Sequence, residues 1–390
     1  MAKGMYIGVG GVAKKVKRGY IGVGGVSRKL KKAYIGISSV ARLLWSSGGL
    51  PVKIGKADNL SYSRYWMGSA NVGNYLLFAG GRQGTNRLSR VDAYDTSLTR
   101  TSVTAQLSIE RAQMMCGSIG SYAIFAGGNT DNSNATAAVD AYNSSLTRTI
   151  LENLPLTMEC GAAAKIGNFL LLGGGDAMSL GSYDGFHNTV YTYNTSLTRG
   201  TATGLSVART NLAAGANSAY AIFAGGKDLA SGSARQKATV DAYNASLTRS
   251  QLAPLSRGRS QLCAGTNGIH VIFSGGYVYD EEGTNSEDWS CQTEAYDKNG
   301  TRVLSNIGRI AAQGAATGLD GYAIFAGGLW SGYMNICCAY DNALTCTDLS
   351  DLTEDVGRLA AGTVGNYALF AGGLSSGGTY HSVVNVYGQT

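Results

Sequence analysis

A short apolar run that closes on two glycines recurs seven times along the chain. Tyr75 to Gly81 reads YLLFAGG, Tyr122 to Gly128 YAIFAGG, Phe169 to Gly175 FLLLGGG and Tyr220 to Gly226 YAIFAGG. His270 to Gly276 reads HVIFSGG, Tyr322 to Gly328 YAIFAGG and Tyr367 to Gly373 YALFAGG. The first glycines are residues 80, 127, 174, 225, 275, 327 and 372, so successive copies lie 45 to 52 residues apart. Aromatic and β-branched residues closed by a glycine doublet predict a buried strand, ending where the chain needs positive φ or a close backbone approach. The flanks repeat too. A small-residue stretch such as Arg111-Ala112-Gln113-Met114-Met115-Cys116-Gly117 comes before, and a variable polar loop after. A third strand is centred on Val-Asp-Ala-Tyr, with Asp92, Asp140 and Asp241 where other copies have Thr192, Glu294, Cys338 and Asn385. A Ser-Leu-Thr-Arg turn (97–100, 145–148, 196–199, 246–249) leads to a fourth strand. Four strands per repeat of this length predict the blade of a propeller, and the period decides the architecture before any local feature does.

The seventh unit stops at 383–390, after its third strand, while Pro51 to Leu60 precedes the first unit as an orphan segment. That segment takes the place that Thr149 to Leu154 holds between units two and three. The spacing predicts that residues 52–58 complete the last blade and close the ring, leaving no open edge. The predicted organisation is therefore an arm at 1–45, a linker at 46–51 and a seven-bladed propeller at 52–390.

The arm has a second period of 14: YIGVGGVAKKVKRG from Tyr6, YIGVGGVSRKLKKA from Tyr20 and YIGISSVARLLWSS from Tyr34. Alternation of apolar and basic residues around Gly-Gly or Ser-Ser predicts small β-hairpins rather than helix. Units this small do not stand alone in water. Tyr6, Tyr20, Tyr34, Lys14, Lys15, Lys17, Arg28 and Lys31 are thus candidate anchor residues, for self-association into a homo-oligomer or for docking on a larger particle. The GVGG stretches lack the Gly-Lys-Ser/Thr ending and following helix of a phosphate-binding loop.

Charge sharpens this division. Residues 1–45 carry ten Lys or Arg and no acid, whereas the remaining residues carry 22 basic and 25 acidic side chains, a net of −3. The basic balance belongs to the arm, where it also suits nucleic acid or an acidic partner. Glycine at 56 of 390 residues with only three prolines, and no Gly-X-Y period, reads as a turn-rich β protein. The seven cysteines form no Cys-x-x-Cys pair, so buried thiols and a reducing site of synthesis are expected. The N-terminus lacks the apolar core of a secretion signal, and no apolar stretch reaches 18 residues, so no membrane span is expected.

Doublets, third-strand tyrosines (Tyr94, Tyr142, Tyr193, Tyr243, Tyr296, Tyr340, Tyr387) and the arginines before the first strands together resemble the kelch repeat. Those arginines are read as Arg64, Arg111, Arg209, Arg259, Arg309 and Arg358, with Met158 in the third blade. The resemblance covers residues 52–390 and implies an all-β, seven-bladed kelch-like propeller behind an arm of hairpin repeats. The tryptophan usual in the family's fourth strand is missing, with Ser-Leu-Thr-Arg near its place. The basic 14-residue repeat followed by such blades is similar to virion-associated proteins of tailed phages and prophages of Gram-positive bacteria. That likeness implies a cytoplasmically made protein of the virion, with other virion proteins as partners of residues 1–45.

Loops joining strands two and three vary while the strands stay constant, which is how a binding face is built on a scaffold. Candidate ligand residues there are Tyr183, Phe186, His187, Tyr277, Tyr279, Asp280, Glu282, Trp289, Trp330, Tyr333, Tyr380 and His381. Aromatic rings beside carboxylates suit sugar stacking and hydroxyl hydrogen bonding. Catalysis is less well served: three histidines fall in three blades, and no His-Glu-x-x-His or Cys/His cluster predicts a metal site or cofactor. The acidic run Asp280-Glu281-Glu282 leaves a glycosidase as one alternative, and an intracellular protein-binding module with a basic arm is another. The expected function is non-enzymatic: a phage structural protein that displays a propeller for attachment to a host-surface glycan or protein.

Overall fold

A computed structural model describes residues 49–177, 185–228, 235–279, 287–310 and 312–389, and the strand backbones at 6–9, 12–15, 19–23, 26–30, 32–37 and 40–46. The chain forms two compact units, divided at residue 50. In the first, Tyr6–Val9 pairs with Val12–Lys15, Gly19–Val23 with Val26–Leu30, and Lys32–Ile37 with Val40–Ser46, each an antiparallel hairpin. Tyr6, Lys14, Lys15, Tyr20, Arg28 and Tyr34 lie on these strands, whereas Lys17 and Lys31 lie outside the described residues.

The second unit is a seven-bladed all-β propeller. Its four-stranded sheets occupy 68–102, 115–151, 162–202, 213–251, 263–307, 315–349 and 360–389, the last with Pro51–Lys56 as its outer strand. Beyond that strand, Ala57 N–H donates to Val384 O at 3.0 Å and Leu60 N–H to Ser382 O at 2.8 Å. Seven apolar clusters hold the ring, each shared by two neighbouring blades. Phe125 and Tyr142 of blade 2, for example, pack with Leu77, Val91 and Val103 of blade 1. The cluster of Leu60, Leu76, Phe78, Leu369 and Val386 joins blade 7 to blade 1. First strands crowd the axis and so are built of small residues. A Cβ on Gly117 would come within 2.6 Å of Leu170, and one on Gly362 within 2.4 Å of Leu76.

The glycine doublet makes the seam between blades. Gly81 N–H donates to Arg111 O of the next blade at 2.9 Å, and a Cβ on Gly80 would sit 2.4 Å from that oxygen. Both glycines have positive φ, 63° and 99°, a conformation that costs glycine almost nothing. The same bond recurs from Gly128 to Met158 O, Gly175 to Arg209 O, Gly226 to Arg259 O, Gly328 to Val356 O and Gly373 to Arg64 O. Third-strand tyrosines latch the seam from outside: Tyr94 Oη donates to Asp58 O and Tyr142 Oη to Ala105 O, both at 2.8 Å.

Beneath the seam lie buried ion pairs. Arg64, Arg111, Arg209 and Arg259 are wholly buried, and their guanidinium groups meet Asp92, Asp140, Asp241 and Glu294 respectively. Each carboxylate also accepts the backbone N–H and hydroxyl of a serine on the incoming loop: Ser61, Ser108, Ser206 or Ser256. Where the acid is absent, so is the arginine. Blade 3 has Met158 with Thr192, blade 7 has Val356 with Asn385, and blade 6 has, by sequence, Ala311 with Cys338. A guanidinium buried without its carboxylate is strongly destabilising, so the two positions change together.

This register corrects the arginine series read from sequence. Arg309 is exposed and pairs with Asp348 at 3.1 Å, and Arg358 falls two residues past the series position. Neither is needed at the seam, because blades 6 and 7 have no third-strand acid to neutralise. The Ser-Leu-Thr-Arg turn is likewise structural. The side chain of Asp95 accepts the N–H groups of Ser97 and Thr99, Leu98 takes φ 65°, and Arg100 returns to Asp92 at 3.1 Å. Blade 5 places Gly300, φ 77°, where blades 1 to 4 and 6 have leucine.

The ion-pair pattern gives a stability prediction. Asp140→Ala should cost about 3–5 kcal/mol by stranding Arg111. Adding Arg111→Met to Asp140→Thr, which copies blade 3, should recover most of that loss in urea unfolding. A double variant as unstable as Asp140→Ala would contradict the pairing argument. Ring closure makes a second prediction. A chain beginning at residue 49 should resist proteolysis like the whole protein, and one beginning at residue 61, without the outer strand of blade 7, should be cut rapidly.

Candidate functional site

Just before each first strand the backbone makes the same uncommon step. Trp66, Gln113, Cys160, Asn211, Gln261, Gln313 and Arg358 all have positive φ, between 52° and 59°. None is glycine, and a left-handed conformation costs such residues of order 1–3 kcal/mol each unless the surroundings enforce it. Here they do, through a closed circle of backbone hydrogen bonds. Gln113 N–H donates to Trp66 O, Cys160 to Gln113 O, Asn211 to Cys160 O and Gln261 to Asn211 O. Gln313 then donates to Gln261 O, Arg358 to Gln313 O and Trp66 to Arg358 O, with all seven distances between 2.7 and 3.2 Å.

The seven residues of the circle line one axial cavity of about 220 Å³, together with Met114, Leu212, Leu262 and Leu359. The cavity wall is dominated by amides, and several are fixed in place. Arg358 Nε donates to Gln313 Oε1 at 2.6 Å, and Gln313 Nε2 donates to Gln261 Oε1. The Arg358 guanidinium lies 4.5 Å from the centre of the Trp66 ring, and that of Arg82 lies 5.4 Å from it. Gln113 Nε2 contacts Cys160 Sγ at 2.9 Å. Planar amides and guanidinium groups held this way can donate and accept at neighbouring points, which suits a ligand rich in hydroxyls.

A buried polar network supports one side of the wall. Arg87 Nε donates to Asn129 Oδ1 at 2.8 Å, and Asn129 Nδ2 donates to Gln113 Oε1 at 2.7 Å and to Glu159 Oε2. All three outer members are almost fully buried. Burial pushes the Glu159 carboxyl up to about 7, against the opposing pull of the Asn129 amide.

Sequence reasoning missed these cavity residues, because seven unlike side chains carry no common signature. The spacing did hold one: each lies fourteen residues before the first glycine of its doublet, although the doublets themselves are unevenly spaced. The aromatic loop residues fare differently. Trp330 is 46% exposed, and its neighbour Leu329 bridges Ala312, immediately before Gln313. Tyr277 and Trp289 face each other across a hairpin with ring centres 6.4 Å apart. Tyr380 stacks on Tyr65 at 5.7 Å. Tyr333 and Phe186 are half-buried in their loops.

The histidines do not meet. His381 Nε2 contacts Ser375 Oγ at 2.8 Å, His270 packs on Asn267, and burial lowers the pKa of the half-buried His187. The backbone of Tyr279 pairs with Glu287; Tyr183, Asp280 and Glu282 lie outside the described residues. All seven cysteines are free thiols, Cys337 and Cys338 among them as adjacent buried strand residues. Among the described residues no helix is long and apolar enough to cross a membrane. No family model matches the chain, and no curated protein matches it.

The carboxyl of Glu159 makes stability depend on pH. Its folded pKa lies above the ordinary carboxyl value of 4.5, so the folded state holds this proton more tightly than the unfolded chain. The resulting stability is full below about pH 4.5 and is lost as pH rises through about 7. Glu159→Gln should therefore melt higher than the parent at pH 8, and the gap should shrink towards pH 5. A gap that is constant across this range would contradict the assignment.

Proposed function

We propose that this chain is a non-enzymatic attachment protein, in which residues 1–45 anchor a propeller whose axial cavity and surrounding loops bind a glycan. The observation that carries the reading is the cavity wall. Gln113, Asn211, Gln261, Gln313 and Arg358 all line it, carried there by the backbone circle, and each amide keeps hydrogen-bonding capacity beyond the contacts made within the wall. That is the inventory vicinal hydroxyls require, and preorganised groups lose little freedom when a ligand arrives. Trp330, exposed on a loop of the same face, supplies an aromatic platform for a second sugar. At about 220 Å³ the cavity is smaller than the roughly 300–1,000 Å³ typical of drug-sized ligands. A single sugar unit with its chain continuing over the loops fits that scale.

The wider setting rests on sequence resemblance. The kelch-like blades, their Ser-Leu-Thr-Arg turns and the basic 14-residue repeat resemble virion-associated proteins of tailed phages, which favours display on a particle. The arm would then contact other virion proteins and the propeller the host surface.

On glycan arrays and host cells, Trp330→Ala should weaken binding by up to about tenfold, the upper end of one aromatic stacking contact of about 0.5–1.5 kcal/mol. Its melting temperature should not change. Phe125→Ala, in a buried strand, should instead cost about 3–5 kcal/mol of stability. A chain beginning at residue 46 should keep glycan binding and lose incorporation into particles. Parental array binding by Trp330→Ala, or normal incorporation of the truncated chain, would refute the corresponding half of the reading.

A further inference from the structure

Arg358 is the charged side chain of the cavity wall, where its six counterparts are Trp66, Gln113, Cys160, Asn211, Gln261 and Gln313. It is held without being neutralised. Its Nε is occupied by Gln313 Oε1, and its plane rests over the Trp66 ring. Among the described residues no carboxylate lies within ion-pair distance of it, and its two terminal nitrogens have no hydrogen-bond acceptor. The four buried arginines of the seams are all paired with acids. Arg82, 5.4 Å from the same Trp66 ring, adds a second positive group to this sector. The buried carboxyl behind Gln113, Glu159, is already bound by Asn129, which also takes a hydrogen bond from Arg87. A guanidinium fixed through Nε presents its terminal nitrogens as a fork, the geometry that takes a carboxylate through two hydrogen bonds.

We propose that the cavity selects a sugar that carries a carboxylate, with Arg358 binding the carboxylate and the Gln261, Gln313, Gln113 and Asn211 amides binding the ring hydroxyls. This rests on the glycan reading above and narrows it from neutral to acidic sugars. An acidic peptide also offers carboxylates, but it would leave the amides around the rest of the wall without matching hydroxyls.

The test compares D-glucuronate with its uncharged methyl ester, and with a glutamate-rich peptide, by ligand-observed NMR titration of the whole protein. The parent should bind glucuronate about tenfold or more tightly than the ester, since a charged hydrogen-bonded contact is involved. Arg358→Gln should bind both sugars equally and weakly, with unchanged melting, because glutamine already stands at three of the seven positions of the circle. Arg358→Lys should keep part of the preference. Equal binding of acid and ester by the parent would overturn the proposal and leave glycan binding standing. A preference for the acid that survives Arg358→Gln would also overturn it. Binding of the peptide without glucuronate would overturn the sugar assignment. Failure of both sugars, together with a blank glycan array, would remove this proposal and the attachment reading alike.

Discussion

The propeller depends on one backbone contact, made where each blade meets the next. The second glycine of a doublet donates its N–H to a carbonyl on the loop that enters the neighbouring blade, and the first glycine leaves that carbonyl room to approach. The same entering loop turns inward two residues later, at positive φ, and joins the axial circle. Packing, charge and site follow from this one geometry. Apolar clusters are split between blades, so no blade buries its core alone. Seam arginines are buried under the loop, so each needs its acid on the third strand. Strain at the seven left-handed positions is spread around a ring in which each is held by both neighbours.

Much of this was legible in the sequence, and the reason is repetition. The doublets, the third-strand tyrosines and the Ser-Leu-Thr-Arg turns each solve one local problem seven or fewer times, so their period exposes them. The place of Pro51–Lys56 in blade 7 was legible from the missing fourth strand, a topological argument that needs no side-chain detail. The arginine series went wrong where residue type was followed instead of offset. Arg309 and Arg358 look like seam residues until they are counted back from their doublets. The cavity was invisible for a related physical reason. A left-handed position enforced by the surrounding ring accepts Trp, Gln, Cys, Asn or Arg alike, so its side chains are free to vary.

The loop aromatics show the other limit. A sequence cannot say that Tyr380 is covered by Tyr65, from the far side of the ring closure, or that Trp289 turns back onto Tyr277. Two rings that read as sugar platforms, Tyr380 and Trp289, thus spend part of their surface on neighbouring rings, while Trp330 stays open. On the proposed reading, recognition would centre on the axis, with the rim contributing from blade 6. Backbone hydrogen bonds close the axis, and that closure gathers four amides and the Arg358 guanidinium onto a single surface.

Hydrogen exchange read by mass spectrometry, with and without glycans extracted from the host surface, tests this most directly. The glycan should slow exchange together in the peptides containing Trp66, Gln113, Cys160, Asn211, Gln261, Gln313 and Arg358, because their backbone amides form one closed circle. Protection confined to the outer loops, with these seven peptides unchanged, would contradict the axial site.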